Sequence, residues 1–436
     1  MNPVETVDLF DETPIIVESA VPSSHPMEMG EGTSGNLTSQ ISPNFRFRSE
    51  RIDLERVTEC TQRTPTRPVI DSDSQRTPPS SGNKARNLFA ISPVKTTSRK
   101  RTNTEAVKTL VFCDFETSGL FTAGNEPKKN YNLRKSRCPS EFASELEKFC
   151  MDTQKDNYPR ILELSFVAVA RETFEKSVKQ MDLKNQPGAC SLRVRVPCNI
   201  HTRQINPKMS DTEWAQYDRV RSINPVALVH EKNDLHLKNS FDVEWKQVRK
   251  FLDSCPKPAC LVAHNGLYFD YRLIYGELSR YGLLKSQALP DGILFVDSLL
   301  AFQNIEDSLK LRLEQTLKAI DWNLISRLSL LEEVVPSEVP ERPNDHPLNF
   351  LDKSEWPTAF FKRSSPTDFK KTSSGKWEFA PSGRKYNLKN LYETTIGGGF
   401  DFHYAQDDSE GLLQICLAYG KEFLVYLDSS AAEIPF

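Results

Sequence analysis

Four places in this 436-residue chain put acidic or imidazole groups where an apolar run ends or a helical pattern begins. In the first, Asp114 and Glu116 sit at the carboxyl end of the run Thr109-Leu-Val-Phe-Cys-Asp-Phe115. On a strand their spacing of two projects both side chains to one face. Carboxylates held that close raise each other's pKa unless a cation lies between them, which points to a divalent ion. The second place is Ala263-His-Asn-Gly-Leu-Tyr-Phe-Asp270, which leaves an apolar run and enters a helix with Asp270 in its first turn. The third, Val296-Asp297-Ser298, is again a strand end, and Asp297 reads there as a structural acid. The last is His403-Tyr-Ala-Gln-Asp-Asp408. His403 and Asp408 are five apart, so they reach one cleft if His403 precedes the helix proper.

Hard oxygen ligands without a thiolate partner favour Mg²⁺, with Mn²⁺ as the alternative, over zinc. Two such ions suit phosphodiester hydrolysis, one acidifying an attacking water and the other stabilising the leaving 3′ oxygen. A histidine beside that water can take its proton, because its unperturbed pKa lies near neutrality. Taken alone, Asp114 and Glu116 describe a helix cap or a solvated strand end equally well; the four places together favour a site.

The elements that must position these groups form an α/β pattern. Strands are expected at Thr109 to Phe115, Ile161 to Ala170, Ser191 to Val196, Ala259 to Ala263, Ile293 to Val296 and Phe423 to Leu427. Helices are expected near Glu141 to Met151, Phe241 to Leu252, Phe269 to Tyr281, Asn387 to Thr395 and His403 to Ala418. Alternating strands and helices imply a central mixed sheet. Residues 1–104 are rich in Ser, Thr, Pro and Arg without apolar periodicity and read as a disordered tail, leaving 105–436 as the folded domain. Within that domain, about 121–158 and 303–384 read as insertions, the second as a surface elaboration that is helical through Asp307 to Trp322.

Composition narrows the setting. A net charge of −3 argues against a surface coated in nucleic acid, though not against a local basic track such as Lys128, Lys129, Arg134, Lys135 and Arg137. Nine cysteines without a CxxC pair imply a reduced, intracellular environment. No apolar run is long enough for a membrane span, so a soluble protein is expected, in the nucleus or the cytoplasm. In the tail, Ser42-Pro, Thr64-Pro, Thr77-Pro and Ser92-Pro suit proline-directed phosphorylation, and Lys95 with Arg99-Lys-Arg101 suits nuclear import.

The motifs Asp114-Phe-Glu116, His264-Asn-Gly with Asp270, and His403 followed after four residues by Asp408 resemble those of the DEDDh class of DnaQ-like exonucleases. Within that class the chain is similar to the three-prime repair exonucleases, through Leu261-Val-Ala-His-Asn-Gly266, Val296-Asp-Ser298, Tyr386-Asn-Leu388, Leu391-Tyr392 and Gly397, with a final strand reaching Leu427-Asp428. The resemblance covers about Thr109 to the C-terminus and implies an RNase H-like fold and a 3′→5′ exodeoxyribonuclease releasing nucleoside monophosphates from single-stranded or frayed DNA ends, in DNA repair or DNA catabolism. It makes Asp114, Glu116, Asp270 and Asp408 ligands of two Mg²⁺ ions and His403 the general base. It places Glu116, Thr117, Leu120, His264, Phe269 and His403 along the terminal nucleotide, and it implies a homodimer.

Some positions keep a second reading. His264 equally suits a hydrogen-bonded residue that orients its loop, and Phe269 and Leu120 equally suit the core. Asp407 competes with Asp408 until the spacing from His403 selects the latter. The alternatives for the whole chain are an exoribonuclease of the same fold, since the 2′-hydroxyl alone separates the substrates, and a nucleic-acid-binding scaffold without activity.

Overall fold

The computed structural model describes residues 105–436 apart from 122–132, 134–137, 154–157, 186–188, 224, 226–227, 323–345, 350, 352–353, 382 and 401. The expected tail, its phosphorylation and import motifs and the basic residues at 128–137 lie outside the described residues.

Strand β1 (Thr109–Thr117) is apolar on both faces because it lies mid-sheet. Leu110 and Phe112 enter one core; Val111, Cys113 and Phe115 enter the other. The Leu, Val and Phe side chains among them each contribute roughly 1.5–3 kcal/mol on burial. After helix α1 (Pro139–Asp152), β2 (Ile161–Ala170) returns antiparallel to β1, and α2 (Arg171–Lys184) leads to β3 (Asn199–Gln204), antiparallel to β2. Helices α3 (Asp211–Ile223), α4 (Lys232–Leu235) and α5 (Phe241–Ser254) precede β4 (Ala259–Ala263), which is parallel to β1. Then α6 (Asp270–Arg280) leads to β5 (Ile293–Asp297), parallel to β4. Helix α7 (Ser298–Ala319), a small hairpin of β6 (Phe369–Lys371) and β7 (Trp377–Phe379) preceded by α8 (Thr358–Arg363), and helices α9 (Leu388–Thr395) and α10 (Ala405–Ser430) complete the order up to β8 (Ala432–Glu433). The main sheet runs β3-β2-β1-β4-β5-β8, mixed and flanked by helices, as the alternation of strands and helices implied.

Three expectations are corrected. Residues 191–198 are not a strand, although Leu192 and Val194 are buried as the alternation implied. The Gln414 side-chain amide bonds both the N–H and the carbonyl of Val194, and Ile396 accepts from Leu192, so these backbone groups are satisfied without a sheet partner. The run Phe423 to Leu427, with Asp428 after it, is helical: Phe423, Leu424 and Leu427 share a helix face, and Gly420, at φ 54°, kinks α10 and lets a second helical segment follow. The stretch 303–384 is not a surface elaboration throughout. Ile305, Leu309 and Leu313 from α7 and Phe360, Phe369 and Phe379 after it are buried in the same core as β1.

Candidate active site

Past Phe112 the parallel pairing of β1 with β4 ends, while β1 continues to Thr117 against β2. The edge of β1 carrying Asp114 and Glu116 therefore opens at the carboxyl end of the parallel strands, where open α/β sheets bind ligands. Asp408 reaches the same place from the first turn of α10, where the helix dipole favours an acid. Ligand oxygens of Asp114, Glu116 and Asp408 all lie within 4.8 Å of one another.

The electrostatics of this trio are costly. Burial, followed by repulsion from Asp408, Asp270, Glu116 and Glu163, pushes the Asp114 carboxyl well above its ordinary range. Glu116 is pushed up to about 8 by burial and by Asp408 and Glu163, and Asp408 to about 7, mainly by burial. Asp408 Oδ1 is buried without a hydrogen-bond partner. An orphaned oxygen beside two carboxylates that repel it is a donor set suited to a hard divalent cation, and the residues present fit one.

Asp270, the first residue of α6, is 2% exposed and borders the trio without joining it. Its carboxyl is raised by burial, then by Asp297 and Glu116. The loop delivering it, residues 264–269, turns sharply. Asn265 has φ 60°, and a Cβ on Gly266 would lie 2.5 Å from that of Ala263, so only glycine fits there. Asp297 holds this loop by accepting from Leu267 N–H at 3.0 Å, and caps α7 through Leu299.

His403 precedes α10, as the shared cleft demanded, and adopts φ 80°, a conformation that costs a non-glycine residue roughly 1 kcal/mol or more. Its N–H donates to Asp408 Oδ2 at 3.2 Å, which ties the two residues together. Burial and then Lys389 hold its imidazole below the ordinary histidine range, so it is neutral at pH 7 and able to accept a proton.

The remaining site expectations divide. Thr117 is buried and donates to Gly119 O at 2.7 Å. Leu120 is 80% exposed and so is not a core residue. Phe269 is half-buried, edge-on to Phe121, whose ring lies 3.9 Å from the Arg272 guanidinium carbon. His264 has both ring nitrogens engaged within the protein, with Ser298 Oγ at 3.0 Å and Tyr386 O at 2.7 Å, which is the orienting alternative.

Glu163 and His230 were missed. Glu163 pairs across the ladder with Glu116, accepts from Ala405 N–H at 3.4 Å and lies 3.3 Å from His230 Nε2. Both are buried, and Glu163 adds to the negative potential of the trio. The available signal was an acid inside an otherwise apolar strand, Ile161-Leu-Glu-Leu164.

No protein-family model matches the chain. Part of it is similar to three-prime repair exonuclease 1 of Bos taurus, with 40% identity over 72 residues, 16% of this chain and 22% of the relative. The Homo sapiens protein of the same name is 43% identical over 56 residues, 13% of this chain and 17% of the relative. The matched stretch thus spans about a fifth of those relatives. Among solved structures, a moderately thermophilic exonuclease I from Methylocaldum szegediense overlaps 72% of this chain and 42% of its own, with 11% identity and a TM-score of 0.32. E. coli exonuclease I in complex with an oligonucleotide overlaps 73% and 43%, with 9% identity and a TM-score of 0.31.

Proposed function

We propose that the chain is a divalent-cation-dependent 3′→5′ exodeoxyribonuclease that removes nucleoside monophosphates from single-stranded or frayed DNA ends. The observation that carries this is the carboxylate trio Asp114, Glu116 and Asp408 at the open end of the sheet, with Asp270 beside it and a neutral His403 tied to Asp408. The partial similarity to three-prime repair exonuclease 1 supports the same reading.

Asp114, Glu116, Asp408 and Asp270 would hold Mg²⁺ or Mn²⁺, two ions in this reading, which would acidify a water and screen the charge of the scissile phosphate. His403 accepts the proton of the attacking water. Its backbone N–H bond to Asp408 anchors the segment that carries this base to a ligand carboxylate. In this reading Leu120 and Phe269 offer an apolar wall to the terminal base, and Thr117 lies along the same nucleotide. We further propose a homodimer pairing through β3, which lies at the sheet edge with Ile200 exposed. The Lys95 and Arg99-Lys-Arg101 cluster supports a nuclear destination.

The test is digestion of 5′-labelled DNA and RNA oligonucleotides with Mg²⁺ by the full chain and by His403→Ala and Asp408→Asn. A ladder from DNA that shortens from the 3′ end and is lost in both variants is expected. A ladder from RNA alone would replace this reading with the exoribonuclease, and none from either substrate with the scaffold.

A further inference from the structure

Helix α7 carries a buried acid that the chemistry above does not use. Glu306 of α7 is 8% exposed, yet both its oxygens are fully engaged. Oε1 accepts from Arg363 Nε at 2.6 Å and from Tyr419 Oη at 2.5 Å; Oε2 accepts from Tyr386 Oη at 2.7 Å and from Arg384 Nη1 at 2.9 Å. Arg363 also donates to Lys385 O at 3.2 Å and lies over the Tyr386 ring. The backbone at 385–386 is thus held from several directions at once.

That backbone reaches the candidate active site. Tyr386 O accepts from His264 Nε2 at 2.7 Å, which fixes the proton on Nε2 and leaves Nδ1 to accept from the Ser298 hydroxyl at 3.0 Å. His264 opens the loop that carries Phe269 and ends in Asp270. We infer that Tyr386, locked onto Glu306, is a positioning residue that acts through His264 to hold the 264–269 loop and so to place Asp270 beside the carboxylate trio. The 385–386 backbone is then a brace for the cleft, and a disturbance at Glu306 is felt at Asp270 mainly by way of Tyr386.

The consequence for cation binding rests on the function proposed above; the hold on the loop does not. Hydrogen exchange of the cation-free full chain therefore serves as the first readout, followed by Mn²⁺ titration calorimetry. Tyr386→Phe and Tyr419→Phe each delete one hydroxyl bonded to Glu306 and keep their rings, but of the two only Tyr386 is hydrogen-bonded to His264. Tyr386→Phe is expected to speed exchange in residues 264–270 about tenfold and to weaken Mn²⁺ binding by about the same factor, whereas Tyr419→Phe leaves both within about twofold. Glu306→Gln should exceed Tyr386→Phe, and if it does not fold the tyrosine pair still decides. Equal effects of the two tyrosine variants on the loop, or none from either, would overturn the inference. Faster loop exchange in Tyr386→Phe alone, in a protein whose wild type binds no Mn²⁺, would uphold the brace and refute the cation site.

Discussion

Two buried acid clusters in this protein are built from similar materials and reach opposite electrostatic states. At Glu306 one carboxylate faces two guanidiniums and two phenols, and these lower its pKa despite burial. At the end of β1 three carboxylates face one another, Glu163 and Asp270 add to the repulsion, and every shifted acid moves upward. The first cluster supplies its own counter-charge and has nothing left to bind. Among the described residues the second has no counter-charge beside it that lowers these acids, which is expensive unless a cation from solution completes it. Burial of acids alone therefore does not mark a site; burial without compensation does.

The largest effect that sharpens this contrast is a reversal of sign. Asp408→Asn should lower turnover in the proposed exonuclease reaction at least about 10³-fold, roughly 4 kcal/mol of barrier, yet leave the cation-free protein as stable as wild type or more so, because one repelling charge is gone. Turnover assays and thermal melts in chelator measure the two halves, and a large loss of melting temperature would place Asp408 among structural acids. Glu306→Ala should behave in the opposite way, costing about 3 kcal/mol of stability or more, since Arg363 and Arg384 would stay buried without their partner. Denaturant unfolding reports that cost directly.

The next effect depends on pH. Glu116 at about 8 and Asp408 at about 7 lie above their unfolded values near 4, so the cation-free fold holds more protons than the unfolded chain across this window. Stability conferred by those protons is present at low pH and declines as pH rises from about 4 through 8. Cation binding removes the same protons and should weaken as pH falls through about 7. At a Mn²⁺ concentration about 100 times its Kd, stabilisation near 2.7 kcal/mol is expected at pH 8.5 and little at pH 5.5. Melting temperatures with and without Mn²⁺ at the two values check this; equal increments would show that the trio does not exchange protons for cations.

Local sequence revealed the second cluster in part because its members sit on elements with clear periods. Asp114 and Glu116 are two apart on a strand, and Asp408 opens a helix; both facts follow from spacing. Glu163 was hidden because its nearness to Glu116 is a matter of sheet register, settled by the pairing of β1 with β2. The Glu306 cluster was hidden for a stronger reason. Its partners come from residues 363, 384, 386 and 419, and nothing in any one segment announces them. The error at Phe423 to Leu427 had another source, since a short apolar run fits strand and buried helix equally and only packing after Gly420 decides.

The smallest predicted effect applies the same criterion of incompleteness to apolar surface. Leu120 is 80% exposed three residues beyond Thr117, while Phe121 next to it is buried against Tyr158 and Phe269. A large aliphatic side chain left in water beside the cleft gains nothing for the fold, so its truncation should not alter the melting temperature. A terminal base covering it would gain about 1 kcal/mol of apolar contact. Leu120→Ala should therefore raise KM for a single-stranded oligonucleotide about fivefold, leave kcat within about twofold, and leave stability unchanged. Steady-state kinetics beside a thermal melt separate the alternatives: an unchanged KM would remove Leu120 from the substrate path, and a lowered melting temperature would mean that the fold, not the substrate, is what completes it.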